Sequence, residues 1–412
     1  MAQIDHILVY GQSLAVAYSP VGGDGIGGGG PQAARPALTT VALDPTNVLM
    51  LNAGARVPQN ANGSAVLNGA TITSLTGLKE QTNSGGYSET ICSGLAYWLK
   101  PRISSKVLVT AHGISGASLD QLSHGTNPYN NLKTIVTRAK ALALAAGHTY
   151  TVRAIALIQC EGNETTIKAP LWAGQVEQLR LDLNTDLGAI VGTALDLPVF
   201  FHQASSFWKG RWVSNDIEDV FALPMMPQAQ LAVHLANPKV RLVTPTYLLD
   251  HVPGDDLHLI PDGYREMGER FGRAIYEHVY QGQVWDCLRP VSAVRDDNNI
   301  DITFNNTVPL TSDTTKTAED GYLGLAVTVE GAAASLARAR ISGDNTVRLV
   351  LRTPARQGET TVWGGFPQWD ANRVSGPDGG PRLNLRESVA DPSLFGYPDL
   401  YKWCAHFQMV AS

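Results

Sequence analysis

Short apolar runs rich in β-branched residues recur along the first 285 positions, at 7–10, 48–51, 107–110, 152–159, 199–202 and 240–244. Continuous runs of this length suit strands buried on both faces of a parallel sheet. Between them the period lengthens. Leu132, Ile135, Val136 and Ala139 recur at i, i+3, i+4, i+7, which predicts a helix over 131–147, and Gly147 supplies a C-terminal stop. Val176, Leu179, Leu183, Leu187 and Ile190 set the same rhythm over 172–192, and Tyr264, Met267, Phe271 and Ile275 set it over 261–282, with Pro261 at a first helical position. Strands alternating with helices predict a three-layer α/β/α sandwich around a parallel sheet. Near residue 288 the texture changes. Runs at 299–304, 323–329, 336–341 and 346–352 read as short strands, and Gly343, Asp344 and Asn345 mark a turn between the last two. The expected organisation is an α/β domain over 1–285 and a β-rich, sandwich-like accessory domain over 288–412. Trp363, Phe366, Trp369, Tyr397, Tyr401 and Trp403 in the second region are read as packing residues in preference to a sugar platform.

Composition narrows the classes of function. The chain has 412 residues, 44% hydrophobic and 17% charged, with a net charge of −6. It is globular, and no basic stripe points to nucleic acid or to an anionic membrane surface. No apolar stretch approaches the ~18 residues of a membrane span. The N-terminus enters a strand-like segment without a basic region or a small-residue cleavage site, so no signal peptide is expected. The compartment stays open between the cytoplasm and a secreted or phage-associated setting with a leader removed. Cys92, Cys160, Cys287 and Cys404 are far apart and form no CxxC pair, so buried reduced thiols are expected rather than zinc or a disulfide framework. Between Gln12 and Leu78 only Asp24, Arg35, Asp44 and Arg56 are charged, and seven of the nine residues 22–30 are glycine. A long neutral loop of this kind is expected to be functional, with disorder as the competing reading. Gly25, Gly27 and Gly30 satisfy G-x-G-x-x-G, but the run neither follows a strand directly nor opens a helix, so it is a loop and not a dinucleotide site. No cofactor is expected.

Candidate chemistry gathers at the ends of predicted strands. Gly11-Gln12-Ser13 follows the first, where ligands bind in α/β folds. His112-Gly113-Ile114-Ser115-Gly116-Ala117-Ser118 follows the third. A Gly-containing turn there can point backbone N–H groups at an anion, and the segment misses the G-x-S-x-G elbow only at Ala117. Gln159-Cys160-Glu161-Gly162-Asn163 ends the fourth, and Asn163 can donate into the same crevice. Cys160 reads as a small buried residue in preference to a nucleophile. Asp255 and His258 precede the last helix, at a spacing that lets a carboxylate orient an imidazole acting as general base. Competing readings are a solvated acidic loop and, more weakly, a metal site on His251, Asp255 and His258.

The order of these blocks resembles the SGNH (GDSL-type) hydrolases, and within them the sialate O-acetylesterase-like and acetylxylan-esterase-like carbohydrate esterases. The resemblance covers about residues 5–280. Gly11-Gln12-Ser13 is similar to the nucleophile block, with Leu14 where Asn is usual. Gly116-Ala117-Ser118 is similar to the glycine block. Gln159-Cys160-Glu161-Gly162-Asn163 is similar to a Q-G-E-x-D/N block, with Cys160 in place of Gly. Tyr87-Ser88-Glu89-Thr90 resembles a G-E-T helix start. Asp255-x-x-His258 with Gly263, Tyr264 and Gly268 resembles the D-x-x-H block and its helix, and residues 383–407 resemble the end of the longer members. The resemblance implies a flavodoxin-like fold and a serine esterase removing small acyl groups, acetyl foremost, from a carbohydrate. It implies Ser13 as nucleophile, His258 as base and Asp255 as its orienting carboxylate. The oxyanion donors would be the Ser13 and Gly116 N–H groups and the Asn163 side chain, with Gln159 as the alternative to Asn163, and no metal or cofactor. The expected partner is a small-molecule or glycan ester. The alternatives are a lipase, thioesterase or arylesterase on the same scaffold, disfavoured by the polar early loop, and a non-catalytic carbohydrate-binding or structural protein, disfavoured by the complete set of triad residues.

Overall fold

The structure is a computed structural model and describes residues 1–17, 36–57, 64–81, 88–161, 169–205, 225–252, 257–352, 357–365, 376 and 380–412. The glycine-rich run at 22–30 lies outside them. The first part is built on β1 (Gln3–Gly11), β2 (Val48–Leu51), β3 (Leu75–Gly77), β4 (Lys106–Gly113), β5 (Thr149–Ile158), β6 (Val199–Gln203) and β7 (Val240–Pro245). They form one sheet in the order β3-β2-β4-β1-β5-β6-β7. All neighbours in it pair in parallel except the edge pair β2–β3. The helices are α1 (Ile91–Leu99), the short α2 (Leu119–Leu122), α3 (Asn127–Ala145), α4 (Trp172–Val191), α5 (Met225–Ala236) and α6 (Pro261–Ile275).

Strand alternation sorts the core into two faces. Ile7 and Val9 of β1 pack with Val109, Ala156, Ile91, Leu95, Met267 and Phe271 on one side. Leu8 and Tyr10 pack with Leu108, Leu157, Leu132, Ile135, Val176 and Leu183 on the other. The sheet is therefore covered by α1 and α6 on one face and by α3 and α4 on the other, which is the expected three-layer arrangement. The third predicted helix is shorter than its sequence period. It ends at Ile275, and Tyr276–Tyr280 continues as a π-helical turn. In the predicted register α3 begins four residues early, at Asn127, because Thr126 caps it. Helices α1 and α5 and the strand β3 carry no clear periodic signal.

Residues beyond 285 form three antiparallel sheets, and among the described residues they contain no helix. One sheet joins β13 (Leu336–Gly343), β14 (Thr346–Leu351), β9 (Asn299–Phe304) and β8 (Pro290–Asp296). A second joins β12 (Ala332–Ala334), β11 (Leu325–Val329), β15 (Thr360–Gly364) and β18 (Phe407–Ala411). A third joins β10 (Leu310–Ser312), β16 (Leu385–Asp391) and β17 (Leu400–Trp403). Their apolar faces are continuous with the α1/α6 side of the large sheet: Ile302, Leu349, Leu385, Trp403 and Phe407 belong to the same buried cluster as Ile7 and Phe271. Trp363 and Trp403 are buried, with Trp363 Nε1 donating to Thr328 Oγ1 at 3.0 Å and Trp403 edge-on to Tyr247. Tyr397 donates to Asp262 at 2.9 Å, and Arg386 lies over the Tyr401 ring. Trp403 and Tyr397 pack the second region against the first, and the contacts of Trp363 and Tyr401 named here lie within the second. Phe366 and Trp369 lie outside the described residues.

Helices α1 and α6 pack backbone against backbone. A Cβ on Gly94 would sit 2.0 Å from the Arg265 carbonyl oxygen, and one on Gly268 would sit 2.3 Å from that of Ile91. Only hydrogen at both positions lets the two backbones approach this closely. Gly268→Ala is expected to force the helices apart and to destabilise the protein by roughly 1–3 kcal/mol, as overpacking does in cores. Denaturant unfolding measures it, and a variant as stable as the parent would contradict the contact.

Candidate active site

The chain leaves β1 in a tight corner at the middle of the sheet. Strand β1 lies between β4 and β5, the point from which the chain runs outward in opposite directions, and in open α/β sheets ligands bind at the strand ends of such a point. A Cβ on Gly11 would fall 1.9 Å from the Ile158 carbonyl oxygen, so glycine is required for β1 to run this close to β5. Ile114 N donates to Gly11 O at 3.1 Å and Gln12 N to Ile158 O at 2.9 Å, so the strand end is tied to both neighbours. Beyond it Ala15 N and Val16 N fold back on Gln12 O at 2.9 and 3.4 Å. Buried Arg56 donates through Nη1 to Val16 O at 3.1 Å, and its segment is held on β4 by Val57 N and Ala111 N.

Ser13 sits on this turn, almost wholly buried. His258 reaches it from the far side of the sheet. The segment after β7 doubles back: Val252 N donates to His258 O at 2.7 Å, Ile260 N donates to Asp250 O at 3.0 Å, and α6 begins at Pro261. His258 Nε2 then lies 2.9 Å from Ser13 Oγ, across a sequence separation of 245 residues. Asp255 and Asn163 lie outside the described residues. Gly116 is on the surface in a left-handed turn with φ 71°, at the end of the loop after β4. Among the described residues neither the Ser13 nor the Gly116 backbone N–H has an acceptor.

Other motif residues take supporting places. Gln159 is fully buried; its Nε2 donates to Ala117 O at 3.1 Å and its Oε1 accepts from Trp172 Nε1 at 3.0 Å, which braces the Gly116 turn against α4. His112 donates through Nδ1 to Val57 O at 2.6 Å and stacks on Tyr10; burial lowers its pKa to about 4, so it stays neutral. Ser115 is exposed, and Ser118 leads into α2. All four cysteines are free and buried. His251 Nδ1 donates to Leu249 O at 2.8 Å, and its backbone bridges to Leu259.

Two described groups have metal-ligand chemistry, and neither contains His251 or His258. Cys160, Glu161 and His202 are fully buried together, and His234, Asp286 and Cys287 form the second. In the second, Arg289 pairs with Asp286 at 3.0 Å and Arg241 approaches it at 3.9 Å, so cations already neutralise the carboxylate.

A third polar group fixes the helix pair beneath the site, and it includes the predicted helix start at Ser88-Glu89-Thr90. Glu89 Oε2 accepts from Leu38 N and Thr39 N at 2.8 and 2.9 Å, and Oε1 accepts from Ser93 Oγ at 2.7 Å and Arg265 Nε at 3.2 Å. Beside it Glu80 accepts from Thr90 Oγ1 at 2.6 Å. Full burial, and then the charge of Glu89, push the Glu80 carboxyl up to about 8, against smaller opposing effects of Thr90 and Arg56.

No family model matches the chain, and no curated protein matches it in sequence. Solved structures do match. XAC1771 of Xanthomonas citri, described as a novel carbohydrate acetylesterase, aligns with a TM-score of 0.60 at 15% identity, covering 98% of this chain and 80% of that one. NanS aligns with a TM-score of 0.45 at 14% identity, over 68% of this chain and 98% of its own. A protein from Arabidopsis thaliana aligns with a TM-score of 0.44 at 15% identity, over 67% of this chain and 98% of its own. The resemblance read from the sequence is thus matched at the level of fold. The likeness to XAC1771 takes in the β-rich part as well as the α/β part. Among the described residues no helix is long and apolar enough to cross a membrane.

Glu80 also sets a pH dependence. An unfolded glutamate releases its proton near pH 4.5, whereas the folded chain holds it to about 8, so folding loses stability progressively as pH rises through that window. Glu80→Gln keeps the acceptor for Thr90 without the charge. Its melting temperature is expected to equal the parent's near pH 4.5, to exceed it increasingly up to about pH 8, and to keep a constant lead above that. A pH-independent difference between the two would rule out the buried carboxyl as its source.

Proposed function

We propose that the chain is a serine esterase that removes small acyl groups, acetyl foremost, from carbohydrate hydroxyls. The observation that carries this reading is the 2.9 Å approach of Ser13 Oγ to His258 Nε2 at the carboxyl end of the central strand. The Ser13 hydroxyl donates to Nε2. As Oγ attacks the ester carbonyl, its proton passes to His258, and the carbonyl oxygen becomes an anion. His258 returns the proton to the departing sugar oxygen as the carbon–oxygen bond breaks, leaving an acyl-serine. Water then repeats the sequence through the same base and releases acetate. Asp255 holds the Nδ1–H of the imidazole, so that Nε2 is the basic nitrogen. The oxyanion is met by the Ser13 and Gly116 N–H groups and the Asn163 side chain. The fold shared with a carbohydrate acetylesterase supports the choice of acyl group and substrate class. We read residues 1–285 as the catalytic unit and 288–412 as its support, since buried aromatics of the second region pack against the first.

Ser13→Ala is expected to abolish hydrolysis of p-nitrophenyl acetate while circular dichroism and melting temperature stay at parental values. A serine-directed phosphonate should label Ser13 alone. Labelling at Ser115 or Cys160 would reject the nucleophile, and turnover of octanoate in preference to acetate would move the activity to the lipase class.

The fourth strand end offers two amides, and the contacts of Gln159 suggest how to divide their roles. The Gln159 amide is engaged with Ala117 and Trp172, so it braces the crevice, and Asn163 is the proposed donor. Asn163→Ala is expected to lower kcat roughly 10²–10³-fold with KM within a few-fold. Gln159→Ala should cost less in kcat and more in melting temperature. The reverse pattern would exchange the two roles.

A further inference from the structure

At the end of β5 lies a buried charge for which the ester chemistry above has no use. Glu161 is 4% exposed and His202, on β6, is 0% exposed. A carboxylate in such a place needs partners for both oxygens. Oε1 lies 3.0 Å from His202 Nε2, and Oε2 accepts from Gln12 Nε2 at 2.7 Å. Burial pushes the Glu161 carboxyl up, but the His202 imidazole and its hydrogen bond outweigh burial and hold it below its ordinary value. It is therefore an anion and accepts at both oxygens.

Gln12 is the residue before Ser13, and its main chain is fixed at both ends: N donates to Ile158 O, and O accepts from Ala15 N and Val16 N. In a trans peptide the Ser13 N–H points opposite the Gln12 carbonyl. Whatever fixes Gln12 therefore aims the Ser13 N–H. The Glu161 carboxylate anchors the Gln12 side chain as well, with a charge-assisted bond about twice as strong as a neutral one. Cys160 Sγ, 3.1 Å from His202 Nε2, closes the group from the other side.

Resting on the reading of Ser13 as nucleophile, we propose that Glu161, backed by His202, is a positioning residue for acyl transfer: through Gln12 it holds the Gln12–Ser13 peptide in the orientation that presents the Ser13 N–H to the oxyanion. Small misplacements of such a group cost roughly 10–10²-fold in rate. The loss falls on kcat, because the oxyanion exists only beyond the ground state.

The test uses the full chain, with p-nitrophenyl acetate as substrate and phosphonate titration to count competent sites. Glu161→Gln and Gln12→Met are each expected to lower kcat per titrated site roughly 10–10²-fold, with KM within a few-fold. The double variant should be no slower than the slower single, because both act through one contact. Losses that multiply in the double variant, or a kcat per site unchanged in Glu161→Gln, overturn the proposal. If Glu161→Gln does not fold, Gln12→Met carries the test by the same criterion. Stoichiometric Co²⁺ uptake with a thiolate charge-transfer band that disappears in Cys160→Ser also overturns it, since Glu161 would then belong to a metal site. A parent with no Ser13-dependent hydrolysis overturns the esterase reading and this inference together. Parental turnover with an unaffected Glu161→Gln overturns this inference alone.

Discussion

The meeting of His258 with Ser13 depends on the contact between α1 and α6. His258 stands three residues before α6, so where that helix lies decides whether an imidazole meets Ser13 at all. Gly94 and Gly268 remove the side chains that would hold the helices apart, and each backbone then touches the other. Such a contact is strong because it is dense and brittle because it has no slack. Glu89 makes it specific: one buried carboxylate binds the start of α1, the loop at 38–39 and Arg265 of α6. A carboxylate with four acceptor sites filled by three separate segments fixes their relative position in a way apolar packing alone does not.

The β-rich region acts on the same helix. Lys316 pairs with Glu266 at 2.9 Å, Arg270 donates to Tyr401 O at 2.7 Å, and Ser393 Oγ donates to Glu269 at 2.6 Å. Tyr397 reaches Asp262 in the first turn of α6. Helix α6 is thus gripped by α1 on one side and by β-rich segments on the other. This explains why the fold continues for more than a hundred residues past the last α/β helix without adding a strand to the large sheet: the added sheets cover that helix and share its core.

The strand end that carries Ser13 is held by backbone. The strand end at Gly11 is crossed by hydrogen bonds from both neighbouring strands, and the residues that look chemical in the sequence mostly hold this backbone in place. Gln159 braces the turn after β4, Arg56 the turn after β1, and His112 stays neutral beneath them. The Gln159 amide and the Arg56 guanidinium are paired there, as buried polar groups must be to offset their desolvation.

The amino-acid sequence by itself determined what is local or periodic. The runs of β-branched residues marked the parallel strands, because a strand covered on both faces must be apolar throughout. The i, i+3, i+4, i+7 rhythm marked α3 and α4, because one face of each is wet, and α6, because the face it turns to the β-rich region is polar though covered. Ser13 and His258 were legible from their places at strand and helix ends. The start of α1 was legible only through the resemblance at Ser88-Glu89-Thr90, and its course was not, since all nine of its residues are buried and an element with no wet face has no period. The three-residue β3 and the all-buried β15 escaped for the same reason: too short, or too uniform, to alternate. The role of Gln159, the pairing of Glu161 with His202 and the grip of the C-terminal strands on α6 were decided by tertiary structure alone. Each joins residues far apart in the chain, and the energy that joins them comes from desolvated partners meeting, which no spacing along a sequence encodes.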